Sequence, residues 1–452
     1  MSCKPRISHR QGIRILGQCA FQGETTAASL EALRCLANAL LLVPRTRKML
    51  VDQGHGPQAA DKFNVDFPAH VRFQSDADLS KSENIDTEFL LARILFLTTY
   101  HTTLDYPFLV TSHALAVNIN AAIARHAARY AHKPRRPSQE HTQPIDLMAL
   151  SETLKLLFNI THFHPKLIPH FSPSIAPLFS ILVRRGVTAE PLAAPANFLV
   201  NALLNLALET TAAQDDHRDQ QQPGTDANPV FPDADPTCNT THLISLLSAS
   251  LTTYPASTLD PTVSPLLTLI RRIYDIAPTP VKTNMESLLL PTPADRDKPL
   301  GQTPTLASRL LTLTTNALTP DLRGSISALL FELSHKDPAT FVANVGYGFA
   351  SGFLLSHDIA IPNDVTHAHA SSSLDALPGV PVNPVTGQRR DREDTVEHAT
   401  MTPEEKEREA ERLFVLFERL KATGVVDVRN PVEEALREGR IQEVSDDEDE
   451  DE

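Results

Sequence analysis

Three segments of this chain share one pattern, in which an apolar residue is followed three positions later by leucine and two after that by asparagine. They are Leu33-x-x-Leu36-x-Asn38, Leu154-x-x-Leu157-x-Asn159 and Val200-x-x-Leu203-x-Asn205. The last two asparagines stand 46 residues apart and the first two 121 apart, close to three such steps. Degenerate helical repeats of about 40 to 47 residues are the mark of armadillo and HEAT arrays. In these no helical pair can bury its apolar face alone, so neighbours must stack into a superhelix with one concave wall. The pattern therefore predicts an all-α fold, an armadillo/HEAT-type helical-repeat superhelix with a C-terminal helical tail.

Length and residue usage agree. A chain of 452 residues exceeds what one compact core holds. With 16 glycines and 35 prolines, against typical shares of about 7% and 5%, it lacks the turn glycines of strands and suits helices ended by prolines. Helical periodicity recurs over 29–42, 88–100, 147–161, 197–209, 263–274, 305–318 and 322–334. A repeat domain over 1–355 is expected, broken by a mobile polar insertion at 210–241 and a proline-rich connection at 276–303. A flexible linker over 356–401, docking helices over 402–440 and an acidic disordered tail over 441–452 complete the chain.

The tail helix is specified at both ends. Thr402, Pro403 and Glu405 form a capping box, and Gly424 stands where a terminating glycine belongs. Between them Leu413, Phe414, Phe417 and Leu420 make one apolar stripe, which either packs on its own domain or clamps a partner. The repeated asparagines leave a similar choice. Asn38, Asn159 and Asn205 either face the groove and hold a partner's backbone or bond a neighbouring repeat.

Several function classes are excluded. The net charge of −14 argues against nucleic acid, although the closing run DDEDEDE supplies seven of the negative charges. The apolar stretch 191–208 is interrupted by Pro195, Asn197, Asn201 and Asn205, so no transmembrane segment is expected. No apolar run follows the basic N-terminus, which points to the cytoplasm. The pairs His162/His164 and His367/His369 lack companions at metal-ligand spacing, and no phosphate loop or nucleophile elbow is present. No cofactor, metal or covalent chemistry is expected. Ser445 precedes Asp446, Asp447 and Glu448, the context an acidophilic kinase selects; the alternative is an unmodified solubilising tail.

Three segments in a fixed order carry a family likeness: GYGFASG at 346–352, Asn383-Pro384-Val385-Thr386-Gly387, and MTPEEKEREAERLFVLFERL at 401–420. They resemble the synembryn family, exchange factors and folding chaperones for heterotrimeric G-protein α subunits. The segments 296–310 and 321–334 look like that family's last repeats, 32–50 agrees by repeat type, and 414–443 looks most like fungal members. The resemblance implies a monomer that binds the GDP-bound or nucleotide-free α subunit, promotes GDP release, and is drawn to the membrane by its partner. It implies that the concave groove captures the partner's C-terminal helix, with Arg323 near the groove, Tyr347 in the glycine motif, and Leu413, Phe414, Phe417 and Leu420 on the bracing helix. Animal members carry an acidic serine/threonine cluster between the glycine and Asn-Pro motifs. Here Ser371, Ser372 and Ser373 have only Asp375 nearby, which shifts the expected phosphorylation to Ser445. The competing reading is an armadillo scaffold or adaptor for extended peptides. Interleaved tryptophans would be expected of it, and the chain has none.

Overall fold

The computed structural model describes residues 10–22, 27–63, 77–131, 144–209, 228–360 and 382–393, with Thr402, Arg408 and Arg412 beyond them. The chain divides into two units, Met1–Arg392 and Glu393–Glu452. Among the described residues the first unit is all-helical apart from an isolated bridge between Val382 and Arg389.

Its N-terminal helices are α1 (Arg10–Phe21), α2 (Ala27–Leu42), α3 (Arg45–Asp52), α4 (His55–Lys62), α5 (Ala77–Thr98), α6 (Tyr106–Ser112), α7 (Leu115–Ala131) and α8 (Pro144–Phe163). There follow α9 (Ile175–Arg185), α10 (Ala196–Asn205), α11 (Cys238–Thr253), α12 (Ala256–Ile276), α13 (Thr279–Leu289), α14 (Leu306–Thr314), α15 (Pro320–Leu333), α16 (Pro338–Val345) and α17 (Tyr347–Ser356).

Helices α2, α5, α8, α10, α12 and α15 touch one another in that order, and α7, α9, α11, α13 and α14 make a second run. The contacts α7–α8, α9–α10, α11–α12 and α14–α15 join the two rows. The sequence pattern explains the packing. Leu33, Leu36, Leu154, Leu157, Val200 and Leu203, the apolar members of the repeated motif, are all buried. Each contributes roughly 1.5–3 kcal/mol by leaving water.

Prolines open helices here as well as end them. Pro107, Pro280, Pro320 and Pro338 stand in first turns, where the missing N–H needs no partner. Side-chain caps reinforce three starts: Asp105 accepts from Phe108 N, Thr305 from Ser308 N, and Asp337 from Thr340 N. For this reason the stretch 276–303, expected as a connection, holds α13 and a 3₁₀ turn at Pro293–Asp297. Within 210–241, residues 210–227 lie outside the described residues. Val230 and Phe231 are already buried, and α11 begins at Cys238. Helix α10 stops at Asn205, four residues before the expected end, and Leu206 and Leu208 continue in the core without helix.

The 3₁₀–α stretch Pro165–Arg185 is long and apolar enough to cross a membrane by length and composition. Its Leu167, Phe171, Leu178, Phe179, Ile181 and Leu182 are buried among neighbouring helices, as befits a core element.

A buried ionic cluster ties the rows together. Glu88 on α5 meets His126 Nε2 at 2.8 Å and accepts from Arg125 at 3.3 Å, both on α7, and from the Thr153 hydroxyl of α8 at 3.4 Å. Burial alone would push this carboxyl up. The charges and hydrogen bonds of His126 and Arg125 outweigh it and pull its pKa down to about 2.

Of the second unit, Glu393, Thr402, Arg408 and Arg412 are described, the last two as helical. Leu413, Phe414, Phe417, Leu420 and Ser445 lie outside the described residues.

Candidate partner-binding surface

The first row of helices is stitched at every step by a polar contact between neighbours. Arg34 of α2 bonds Asp86 of α5 at 2.9 Å. The Asn159 amide of α8 donates to Thr99 Oγ1, just past α5, at 2.7 Å. The Asn205 amide at the end of α10 donates to Phe158 O at 3.2 Å and Thr161 Oγ1 at 3.3 Å, both on α8. Arg272 of α12 donates to Leu204 O at 2.7 Å and bonds Glu209, and Arg271 bonds Glu332 of α15 through Nε at 3.1 Å.

These contacts separate the two readings of the asparagines. Asn159 is 4% exposed and held by the preceding helix, which corrects its assignment to the partner surface. Its late position on α8 turns it toward a neighbouring helix, where a buried amide needs a partner. Asn205, half-buried, makes the equivalent bonds one step along. Asn38 is exposed on α2, and Arg323 is exposed on α15. The row places those two on separate, non-adjacent helices rather than in one cluster.

Asn159→Ala should therefore cost about 1 kcal/mol, the usual value of one such bond, with Thr99 left to water. Denaturant unfolding checks this, and affinity for any partner should stay within about twofold once the variant is folded.

Sequence reasoning passed over the side chains that fill the space between these rungs. Lys155 lies 3.0 Å from Glu152, and its ammonium sits 5.7 Å above the Phe96 ring and 4.9 Å above the Phe198 ring. Arg93 stands 5.4 Å over Phe89 and 3.9 Å from Glu152. Tyr100 meets Phe96 and Phe163 edge-on, and His162 stacks on Phe158. Two helices, α5 and α8, thus hold cations over aromatic faces, with α10 adding the Phe198 ring, an arrangement suited to a partner with both apolar and anionic groups. The signal in the sequence was the spacing Phe89, Arg93, Phe96, Tyr100 on one helical face. Phe198, on a distant segment, completes it.

A second feature joins the two motifs on which the family likeness rests. Gly346, at φ 80°, ends α16 and starts α17. The first amides of α17 are satisfied from the Asn-Pro turn: Tyr347 N donates to Pro384 O at 2.8 Å and Gly348 N to Val385 O at 3.1 Å. The turn is itself closed by Asn383 Oδ1, which accepts from Val385 N at 2.9 Å. It ends at Gly387, where φ is +68° and an added Cβ would lie 2.3 Å from Leu300 Cδ1.

Arg296, 4% exposed, clamps this assembly. It donates to Gly387 O at 3.0 Å and to Ala343 O and Asn344 O at 2.9 Å each. Burial lowers the guanidinium pKa from its ordinary value, and the neighbouring Asp295 carboxylate opposes that. Leu300 N to Thr386 O at 3.0 Å and Arg389 N to Arg296 O at 2.8 Å finish the seam. Tyr347 thus contributes a backbone bond to the seam, and residues 382–392, expected as part of a flexible linker, are docked there.

Comparison with known proteins adds to this geometry. The family model described as guanine nucleotide exchange factor synembryn matches residues 2–440. A synembryn-like chaperone of Schizosaccharomyces pombe is 29% identical over 171 residues, covering 36% of this chain and 32% of that protein. The aligned segment thus spans about a third of the relative's length.

Proposed function

This chain belongs to the synembryn family of guanine nucleotide exchange factors, and from that premise we propose that it binds heterotrimeric G-protein α subunits, promotes release of their GDP and assists their folding. The family match over residues 2–440 carries the reading, since it takes in both the helical rows and the tail. The two stacked rows support an armadillo/HEAT-type superhelix whose wall receives the partner's C-terminal helix. The cation–aromatic surface of α5, α8 and α10 provides contacts of the kind such a helix needs.

Exchange of this sort needs no covalent chemistry. If the protein holds the nucleotide-free α subunit more tightly than the GDP-bound one, reciprocity requires it to weaken GDP binding by the same factor. Drawing the partner's C-terminal helix onto an extended wall would stabilise the opened state, and the same grip would shelter a partly folded α subunit. The protein acts as a monomer in the cytoplasm, is brought to the membrane by its partner, and is tuned by an acidophilic kinase at Ser445.

Complex formation tests the binding half. The protein should hold an α subunit stripped of GDP at least about tenfold more tightly than the GDP-loaded form; equal affinity would refute the reading and favour a peptide adaptor. The tail helix braces the α subunit through Phe414 and Phe417. Their double replacement by alanine should lower exchange about tenfold or more while the helical circular dichroism signal stays the same. Unaltered exchange would remove the brace.

A further inference from the structure

Among the serines and threonines of the described residues, two have an arginine three positions before them, Thr188 after Arg185 and Thr312 after Arg309. Thr312 lies inside α14 and donates to Ser308 O at 2.9 Å, so its neighbours are wound into the helix. Thr188 stands in the loop between α9 and α10, and Arg184 gives it a second arginine at the fourth position before it.

That loop has two unlike halves. The second is anchored: Leu192 is buried and its N–H donates to Tyr254 Oη at 2.9 Å, while Ala193 N and Ala196 N donate to Glu190 O and Ala193 O. The first half is open. Gly186 ends α9 at φ +71°, and a Cβ there would meet nothing within 4 Å. Val187 is 44% exposed, and Ala189 and Glu190 are exposed as well. Among the described residues, the backbone of 187–189 bonds to no other backbone group. Thr188 is held only within the loop, its Oγ1 donating to Glu190 O at 2.9 Å.

These are the features a protein kinase requires of its substrate. The enzyme must bring the hydroxyl into line with a phosphoryl group, and a segment without helix or sheet bonds can be drawn into its cleft at little cost. Arginines just before the hydroxyl pair with acidic groups of a kinase that selects basic substrates. Arg184 is exposed, and Arg185 would give up a long contact, 3.5 Å from Nη2 to Ala194 O.

We propose that Thr188 is a phosphorylation site for a basophilic serine/threonine kinase, with Arg184 and Arg185 as the residues the kinase reads. The kinase's base takes the proton from Thr188 Oγ1, the oxygen bonds the γ-phosphorus of ATP, and the bond from that phosphorus to the bridging oxygen breaks, releasing ADP. The phosphorylated side chain can no longer donate to Glu190 O. It sets a dianion beside two guanidinium groups, and Arg185 exchanges its long contact for charge-assisted bonds. The start of the loop is thereby drawn onto the end of α9. This site is distinct from Ser445, whose acidic context calls for the opposite class of kinase.

The test uses the folded full chain and a peptide of residues 181–192, each with magnesium, ATP and either calmodulin-dependent kinase II or the catalytic subunit of cAMP-dependent kinase. Phosphate is assigned site by site by mass spectrometry, because Ser138 also follows two arginines, Arg135 and Arg136. At least one kinase should modify Thr188, in the folded chain at no less than about a tenth of the peptide's rate. Arg185→Gln should slow this at least about tenfold in chain and peptide alike. Trypsin should cut the native chain after Arg185, and phosphate on Thr188 should slow that cut at least about tenfold. A peptide modified at Thr188 beside a folded chain that is not would show that the fold closes the loop to kinases. Phosphate on neither, or equal phosphate on Arg185→Gln, would show that the arginines go unread; each of these outcomes overturns the proposal. A tryptic cut indifferent to phosphate would overturn the pairing with Arg185. No α subunit enters the assay, so its outcome is independent of the exchange reading.

Discussion

Replacing Arg296 with alanine should release the 383–387 turn from the helical stack and raise hydrogen exchange at Leu300, Tyr347, Gly348 and Arg389 by about a thousandfold. The four amides are diagnostic because each donates across the seam between the turn and the helices. Arg296 supplies three charge-assisted bonds from a buried position, to Gly387, Ala343 and Asn344. Such bonds are worth roughly 1.5–3 kcal/mol apiece when made. Removing their donor also leaves the buried Gly387 carbonyl and two half-buried ones unmatched, so a local loss of about 4 kcal/mol is expected, and that is close to three decades in exchange rate. Arg296→Lys should rescue only part of it, since an ammonium cannot reach all three carbonyls with a planar fork. Unchanged protection at those four amides in Arg296→Ala would show that the turn is held by Leu300 and its own Asx closure alone.

The second large effect is expected at Glu88. Glu88→Gln should lower global stability by about 3 kcal/mol at neutral pH, because it removes the buried carboxylate that pairs with His126 and Arg125 between the two rows. The pH dependence follows from the same group. The folded pKa of Glu88, about 2, lies below its ordinary value of 4.5. Its stabilisation is therefore fully present above 4.5 and disappears as the pH falls toward 2. A shift of that size corresponds to about 3 kcal/mol. Urea unfolding at a series of pH values should show the wild type losing this increment over the window, while Glu88→Gln loses correspondingly less. Parallel curves for the two proteins would mean that Glu88 titrates normally and that the cluster contributes packing without charge.

The buried leucines of the repeated motif could be read directly, because a position three or four residues from the next apolar one must lie on the same helical face. The role of the asparagines could not. A late asparagine satisfies the same pattern whether it meets Thr99 or a partner, and only the neighbouring helix decides between them. The prolines of 276–303 misled for a physical reason. Proline breaks a helix from inside but suits its first turn, and Pro280 and Pro293 both stand in first turns. The cation–aromatic surface and the Arg296 clamp stayed hidden because their members are far apart in the chain. Phe96, Lys155 and Phe198 come from three helices, and Arg296 and Gly387 are separated by 91 residues. The glycine and Asn-Pro motifs were legible as a family likeness. That they form one seam becomes evident only when Gly346 is seen to let the Val385 carbonyl approach within 3.1 Å of where its Cβ would stand.

If this helical stack and its tail open the nucleotide site of a G-protein α subunit, the release of labelled GDP from a purified α subunit of the same organism, in excess GTP, must respond to them. Release should accelerate in proportion to the concentration of the full chain, and the Phe414→Ala/Phe417→Ala variant should accelerate it far less. Release at the spontaneous rate, with both proteins folded and mixed at saturating concentration, would contradict it.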